Sequence, residues 1–113
     1  MKKWVAQRKL LYSLKGSDIR RELVIRISEP YLVEEGMVNF AFAEDTAGCT
    51  VEFIGIDAGE VYEEENVHET YGIDSLQALE IAINIEPTLK RISKKYDLYF
   101  PTGEPYFDDE NNT

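Results

Sequence analysis

The stretch "IRRELVIRI", residues 19–27, alternates apolar and polar side chains with the period of a β-strand. One face carries Ile19, Leu23, Ile25 and Ile27, and Arg21 is the exception on that face. This alternation is typical of an antiparallel strand that has one face in a core and the other in water. The stretch therefore indicates a fold built on an antiparallel sheet.

The segments before and after this stretch give similar signals. Residues 3–14 alternate in the same way, and turn-forming residues at 15–18 join them to the first stretch as a hairpin. Residues 38–42 place two phenylalanines and a valine in alternation with small or polar residues, which predicts a third strand. The run "CTVEFIGI", residues 49–56, is apolar on both faces, as in a strand that is covered on both sides.

An apolar stripe with steps of three or four residues predicts a helix that begins at residue 74 or 75. The stripe consists of Leu76, Leu79, Ala82, Ile85, Leu89, Ile92 and Tyr96. Pro87 removes a backbone donor inside this pattern, so we expect either one long helix kinked at the proline or two abutting helices. Residues 96–107 predict a short strand or hairpin after the helix.

This order of elements predicts a single α+β domain over residues 1–113. Its antiparallel sheet has about four to six strands, with the long helix packed on one face. The length suffices for one modest core, and an apolar content of 43% argues against global disorder.

The net charge of −10 argues against nucleic acid or an anionic membrane as the main ligand. Residues 26–89 hold one base, Arg26, against fifteen acids. This imbalance indicates one strongly negative face, which a basic partner would complement.

The lone cysteine and the N-terminal stretch bear on the compartment. Cys49 opens an apolar run and is expected to be a small core residue, and a single cysteine agrees with a reducing compartment. The N-terminal stretch lacks the uninterrupted apolar run of a signal peptide, and no stretch approaches the ~20 apolar residues of a membrane helix. We therefore expect a cytoplasmic protein.

Residues 57–70 form an acidic segment that contains tyrosine, and we expect most of it to be a loop. Its spacing matches neither a zinc site nor a calcium loop, so we assign no metal, no cofactor and no catalytic residue, and we do not expect an enzyme. Tyrosine is enriched at interface hot spots, and a negative field accelerates the encounter with a basic protein. The predicted partner-binding residues are Glu60, Tyr62, Glu63, Glu64, Glu65, Glu69 and Tyr71.

The string "GIDSLQALEI", residues 72–81, resembles the attachment motif of acyl carrier proteins, in which the serine after aspartate carries phosphopantetheine. That resemblance implies a small helical bundle modified on Ser75. The strand signals before the motif favour another interpretation, in which Asp74 caps a helix and Gln77 completes a capping-box-like pair. We interpret Ser75 as part of the first helical turn.

In length, acidity and lack of catalytic motifs, the chain resembles the small bacterial immunity proteins of toxin–immunity pairs, such as those of contact-dependent inhibition. That resemblance implies a non-catalytic module that occupies the surface or cleft of a basic, nuclease-type toxin domain. Two alternatives stay open: a carrier-type protein modified with phosphopantetheine on Ser75, and a structural subunit of a bacterial assembly.

Overall fold

A computed structural model describes residues 2–56 and 66–107. These residues form a six-stranded antiparallel sheet and two helices, which confirms the α+β class. In chain order the elements are β1 (Trp4–Leu14), β2 (Arg21–Ser28), β3 (Tyr31–Leu32), β4 (Ala47–Ile54), β5 (Val67–Gly72), α1 (Ser75–Ile83), α2 (Glu86–Ile92) and β6 (Tyr96–Tyr99).

The predicted β1–β2 hairpin is present, and the other strands pair on both sides of it. β4 pairs with β2 through residues 51–54, and the short β3 continues along the same edge of β4 at residues 47–48. β5 pairs with β4 over residues 47–52 and therefore occupies its other edge, since a strand has only two edges. β6 pairs with the remaining edge of β1. The spatial order is β6–β1–β2–β4–β5, with β3 placed after the end of β2.

Both helices pack on one face of the sheet. Leu23, Ile25 and Ile27 of β2 are buried in this core, as their alternation predicted. The helices contribute Ala78, Ala82, Ile85, Leu89 and Ile92. Burial of a large aliphatic side chain contributes roughly 1.5–3 kcal/mol, so this core is the main source of stability. We call the opposite side of the sheet the helix-free face.

The helical segment divides near its middle into two abutting helices that together span residues 75–92. α1 ends at the C-cap Asn84, and α2 begins at Glu86, with Pro87 in its first turn. A proline there breaks no hydrogen bond within α2, because first-turn N–H groups have no intrahelical partner. The expected kink at Pro87 inside one continuous helix is therefore not observed. In the part of the chain that is described, no helix is long and apolar enough to cross a membrane.

The start of α1 confirms the capping interpretation. The Asp74 carboxylate accepts a hydrogen bond from the Gln77 N–H at 2.9 Å, and the Gln77 side-chain oxygen accepts one from the Ile73 N–H at 2.7 Å. Ser75 is the first residue of α1 and is exposed.

Two expectations about the strands are wrong. Residues 38–42 lie in an irregular connection between β3 and β4, where Phe40 packs edge-on against Tyr71 with ring centroids 5.3 Å apart. The Phe40 ring packs on the sheet surface without belonging to a strand. Residues 67–70, expected in the acidic loop, belong to β5.

The segment after β6 covers the outer edge of the sheet. The Tyr106 N–H donates to the Leu98 carbonyl at 2.9 Å, and the Phe100 N–H donates to the Glu104 carbonyl at 2.8 Å. Pro105 lies between these two bonds and forms a bridge with Tyr99. This edge of the sheet is closed by the chain itself.

Candidate functional site

Polar and aromatic side chains gather on the helix-free face where β3, β4 and β5 meet. Residues paired across antiparallel strands place their side chains on the same face. Tyr31 and Tyr71 pair with Gly48 from opposite sides, and Glu69 pairs with Thr50. We call Tyr31, Thr50, Glu69 and Tyr71 the Glu69 cluster.

Gly48 allows the Tyr31 ring to lie directly on the sheet. A Cβ atom built on Gly48 would lie 2.6 Å from both Cζ and the hydroxyl oxygen of Tyr31, well inside van der Waals contact. The ring therefore covers the backbone of β4, and its hydroxyl reaches Glu69.

The Glu69 carboxylate is held by two hydroxyl groups. Its Oε1 accepts hydrogen bonds from the Tyr31 hydroxyl at 2.5 Å and from Thr50 Oγ1 at 2.8 Å. Thr50 is fully buried, and its N–H donates to Ser28 Oγ at 2.8 Å, so the threonine cannot swing away. Burial raises the pKa of Tyr31 above its usual value, and the hydrogen bond and charge of Glu69 act in the same direction. Tyr31 therefore remains a protonated donor, with Glu69 as the acceptor.

Glu69 has no ion-pair partner within the described residues, although Lys2 and Lys3 line a cleft that Glu69 also lines. Three ion pairs occur there, and none of them includes Glu69. On the same face, Glu52 is paired with Arg26, whose guanidinium lies 3.9 Å from the centre of the Trp4 ring. Glu69 thus differs from Glu52 in having hydroxyl partners but no guanidinium or ammonium partner.

A second tyrosine–glutamate group, at the other end of the sheet, does contain its cation. Arg8 Nη1 donates to Glu86 Oε1 at 3.2 Å and to the Tyr106 hydroxyl at 2.6 Å, and that hydroxyl donates to Glu86. We call these three residues the Glu86 cluster. Burial and the bond to Glu86 raise the pKa of Tyr106 to about 12, although the positive charge of Arg8 opposes the rise.

A cleft of about 500 Å³ lies beside the Glu69 cluster. Its apolar wall is formed by Pro30, Met37 and Val38, and its charged residues are Lys2, Lys3, Glu29 and Glu69. Sites of about 300 Å³ already hold a small molecule. This cleft is therefore large enough for one or a few side chains of a partner. The arrangement offers hydroxyls, two carboxylates, two ammonium groups and an apolar wall, which are binding groups.

The structure brings together two of the predicted partner-binding residues. Glu69 and Tyr71 lie on the same face of β5 and both line the cleft. The other five, Glu60, Tyr62, Glu63, Glu64 and Glu65, lie outside the described residues.

The acidic excess is concentrated outside the described part of the chain. Residues 2–56 and 66–107 contain all twelve bases and fourteen acids. Residues 57–65 carry five acids and no base, and residues 108–113 carry three acids and no base. In the sequence, the segment 57–65 is separated from the first residue of β5 by Asn66 alone.

Sequence reasoning missed Tyr31 and Thr50. Thr50 carried a usable signal, because a hydroxyl inside a strand that is apolar on both faces needs a hydrogen-bond partner. No sequence pattern identified Tyr31, since its role depends on the strand register that sets it opposite Gly48.

The remaining candidates have structural roles or no assigned one. Cys49 is fully buried, as expected for a core residue, and burial together with the charge of Glu69 raises the pKa of its thiol. His68 faces the helix side, where its ring stacks on Phe53 with centroids 6.2 Å apart. Within residues 2–56 and 66–107, no three His, Cys, Asp or Glu side chains are placed to hold a metal ion.

No family model, no curated protein and no solved structure matches this chain significantly.

Proposed function

We propose that the chain is a non-catalytic binding module that docks onto a basic protein through the helix-free face around Glu69 and Tyr71. The observation that carries this proposal is the state of Glu69. Its carboxylate is positioned by Tyr31 and Thr50, lines an open cleft, and has no ion-pair partner in the described part of the chain.

A lysine or arginine of a partner would complete this site. A preorganised carboxylate loses little conformational entropy on binding, and charge-assisted hydrogen bonds are roughly twice as strong as neutral ones. The adjacent acidic segment 57–65 would add long-range attraction and would raise the association rate at low salt.

The concrete form of this proposal is an immunity protein that neutralises a basic, nuclease-type toxin. Such toxins bind phosphates through basic clefts, and an acidic module can occupy such a cleft without any chemistry of its own. The support is the excess of acids, the uncompensated Glu69 and the tyrosines beside it.

The carrier-type alternative is weakened by the fold. Carrier domains are helical bundles, whereas the described residues form a six-stranded sheet with two short helices. Treatment with a phosphopantetheinyl transferase would revive this alternative if it placed the arm on Ser75. A structural subunit of an assembly would use the same binding surface, and the identity of the partner would separate it from an immunity protein.

The test begins with native mass spectrometry of the protein purified at low salt from the cells that make it. We expect a stoichiometric complex with one basic protein. Reversal of the three glutamates at 63–65 to lysine should slow its association and weaken the salt dependence of binding, and Glu69→Gln should speed dissociation.

Asp18→Asn is the matched control, because it removes one exposed carboxylate from the far end of β2. It should leave both rates nearly unchanged. The proposed surface would be refuted if the association and dissociation rates were the same for the wild-type chain and for both acidic-site variants.

A further inference from the structure

The outer edge of β5 carries backbone groups that pair with no other strand in the described part of the chain. The Phe53 N–H donates to the Asn66 carbonyl at 2.7 Å, which fixes the phase of the β4–β5 ladder. Hydrogen-bonded pairs alternate along an antiparallel ladder, so the even-numbered residues of β5 direct their N–H and C=O groups toward β4. The odd-numbered residues direct theirs away from it: Val67, Glu69 and Tyr71.

These outward groups have no backbone partner among residues 2–56 and 66–107, because β5 pairs only with β4 there. Exposed edges in native proteins are usually blunted by lysine, proline, a bulge or a covering segment. The sequence of β5, "VHETYG", contains neither lysine nor proline, and its register with β4 is continuous.

The side chains of the same three residues point to the helix-free face. Glu69 and Tyr71 line the cleft there, and Val67 is more than one-third exposed. A strand added to this edge would therefore meet unpaired backbone groups and the uncompensated carboxylate of Glu69 at the same time.

We propose that the outer edge of β5 receives an extended, lysine- or arginine-rich segment of the partner as an additional strand of the sheet. The partner's backbone pairs with Val67, Glu69 and Tyr71, and a basic side chain next to Glu69 supplies the missing cation. This proposal rests on the proposed function and specifies its binding mode.

Charge decides between this occupant and a second copy of the chain. In a symmetric antiparallel pairing of two β5 strands about their middle, the two Glu69 carboxylates would lie side by side. Like charges directly opposite each other in a sheet destabilise the pairing. A basic side chain opposite Glu69 reverses the sign of this effect.

Amide hydrogen exchange measured by NMR tests the proposal residue by residue. The probe is a synthetic peptide of about eight residues in which lysine alternates with threonine. The control is the same peptide with glutamate in place of lysine. In the free protein, the amides of residues 68, 70 and 72 should be protected and those of residues 67, 69 and 71 should exchange rapidly.

Saturating lysine peptide should slow exchange at residues 67, 69 and 71 at least about tenfold, which corresponds to about 1.4 kcal/mol. The glutamate peptide should not. Peptide binding that shifts the Glu69 resonances without protecting these amides would overturn strand addition and would leave the proposed function standing. Equal protection by both peptides would contradict the basic partner, and with it the proposed function.

Protection already present in the free protein would also overturn the proposal. A concentration dependence of that protection would assign the edge to a second copy, and its absence would assign the edge to the chain itself. No change with either peptide would overturn strand addition as well.

Val67→Pro provides an independent readout. It deletes an outward N–H at the first position of a strand, where proline is tolerated, and leaves the ladder to β4 intact. It should reduce affinity for the lysine peptide at least about tenfold, whereas Val67→Ala should not. Unchanged protection at residues 68, 70 and 72 verifies that the variant is folded. Equal affinities of folded Val67→Pro and Val67→Ala would refute the backbone contact.

Discussion

Two glutamates of this chain accept a hydrogen bond from a tyrosine hydroxyl, in surroundings that differ in one respect. Glu86 is bonded to Tyr106 and also to the guanidinium of Arg8. Glu69 is bonded to Tyr31 and Thr50, and none of the ion pairs in the described part of the chain includes it. Within the described residues, one carboxylate forms an ion pair with an arginine, and the other is held by hydroxyl groups without an ion pair.

The two edges of the sheet beside these clusters differ in a corresponding way. Near Glu86, the segment containing Pro105 and Tyr106 pairs with the outward groups of β6. Near Glu69, the outward groups of β5 have no such cover within residues 2–56 and 66–107. In the proposed account, the Glu86 end stabilises the fold and the Glu69 end binds a partner. Four predictions test this difference. The first three concern the free energy of unfolding, in order of decreasing effect, and the last concerns binding.

The largest effect on stability is expected from Gly48→Ala. The new methyl group would lie 2.6 Å from the Tyr31 ring and would force it off β4, and overpacking of this kind costs about 1–3 kcal/mol of the free energy of unfolding. Urea denaturation measures the loss. In a Tyr31→Ala background the same substitution should cost less than about 0.5 kcal/mol, because the ring is gone. A cost that persists without the ring would show that Gly48 is needed for another reason.

The next effect separates the two tyrosines. Tyr31→Phe leaves the partly buried Glu69 with one hydroxyl donor fewer and no cation, and should cost about 1–2 kcal/mol of the free energy of unfolding. Tyr106→Phe leaves Glu86 paired with Arg8 near the surface and should cost about 0.5 kcal/mol or less. Parallel urea denaturation at neutral pH compares them. Equal costs, or a larger cost for Tyr106→Phe, would contradict the distinction between the clusters.

An effect at alkaline pH comes next, and solvent screening reduces it because Tyr106 is only partly buried. The unfolded chain releases tyrosine protons near pH 10.0, whereas folded Tyr106 holds its proton to about pH 12. The resulting contribution to the free energy of unfolding is complete below pH 10 and is lost as the pH rises through 12. Tyr31 titrates higher still, since no arginine opposes the rise.

Tyrosinate absorbance in the wild-type, Tyr31→Phe and Tyr106→Phe proteins measures this order. Each variant should lack one of the two hydroxyls that titrate late. The hydroxyl that titrates last should be absent from Tyr31→Phe and present in Tyr106→Phe. Titration of Tyr31 before Tyr106 would show that Glu69 is compensated after all.

The sequence predicted the fold where its signals are periodic and local. The alternation in residues 19–27 and the capping residues of α1 depend on neighbours close in the chain, and both were recognised. β5 was missed because polar side chains occupy both of its faces, so that "VHETYG" has no clear alternation. Residues 38–42 misled for the opposite reason, since they alternate without forming a strand, and Phe40 packs on the surface of the sheet instead.

The candidate site was only partly visible in the sequence. Glu69 and Tyr71 were identified through local composition, which placed acids beside tyrosines. Their link to Tyr31 and Thr50 depends on two registers that meet at β4, and no local pattern encodes such a meeting. Composition also predicted one strongly negative face, and most of the excess of acids lies in residues 57–65 and 108–113, outside the described part of the chain.

The most direct measurement compares Glu69→Gln with Glu86→Gln in binding the lysine–threonine peptide, by NMR titration at low salt. Both substitutions remove one negative charge and keep the side-chain shape, so nonspecific attraction falls equally. We predict that Glu69→Gln weakens binding at least about tenfold, whereas Glu86→Gln changes it less than about twofold. Equal losses, or a larger loss for Glu86→Gln, would contradict the assignment of Glu69 as the residue that awaits a partner's cation.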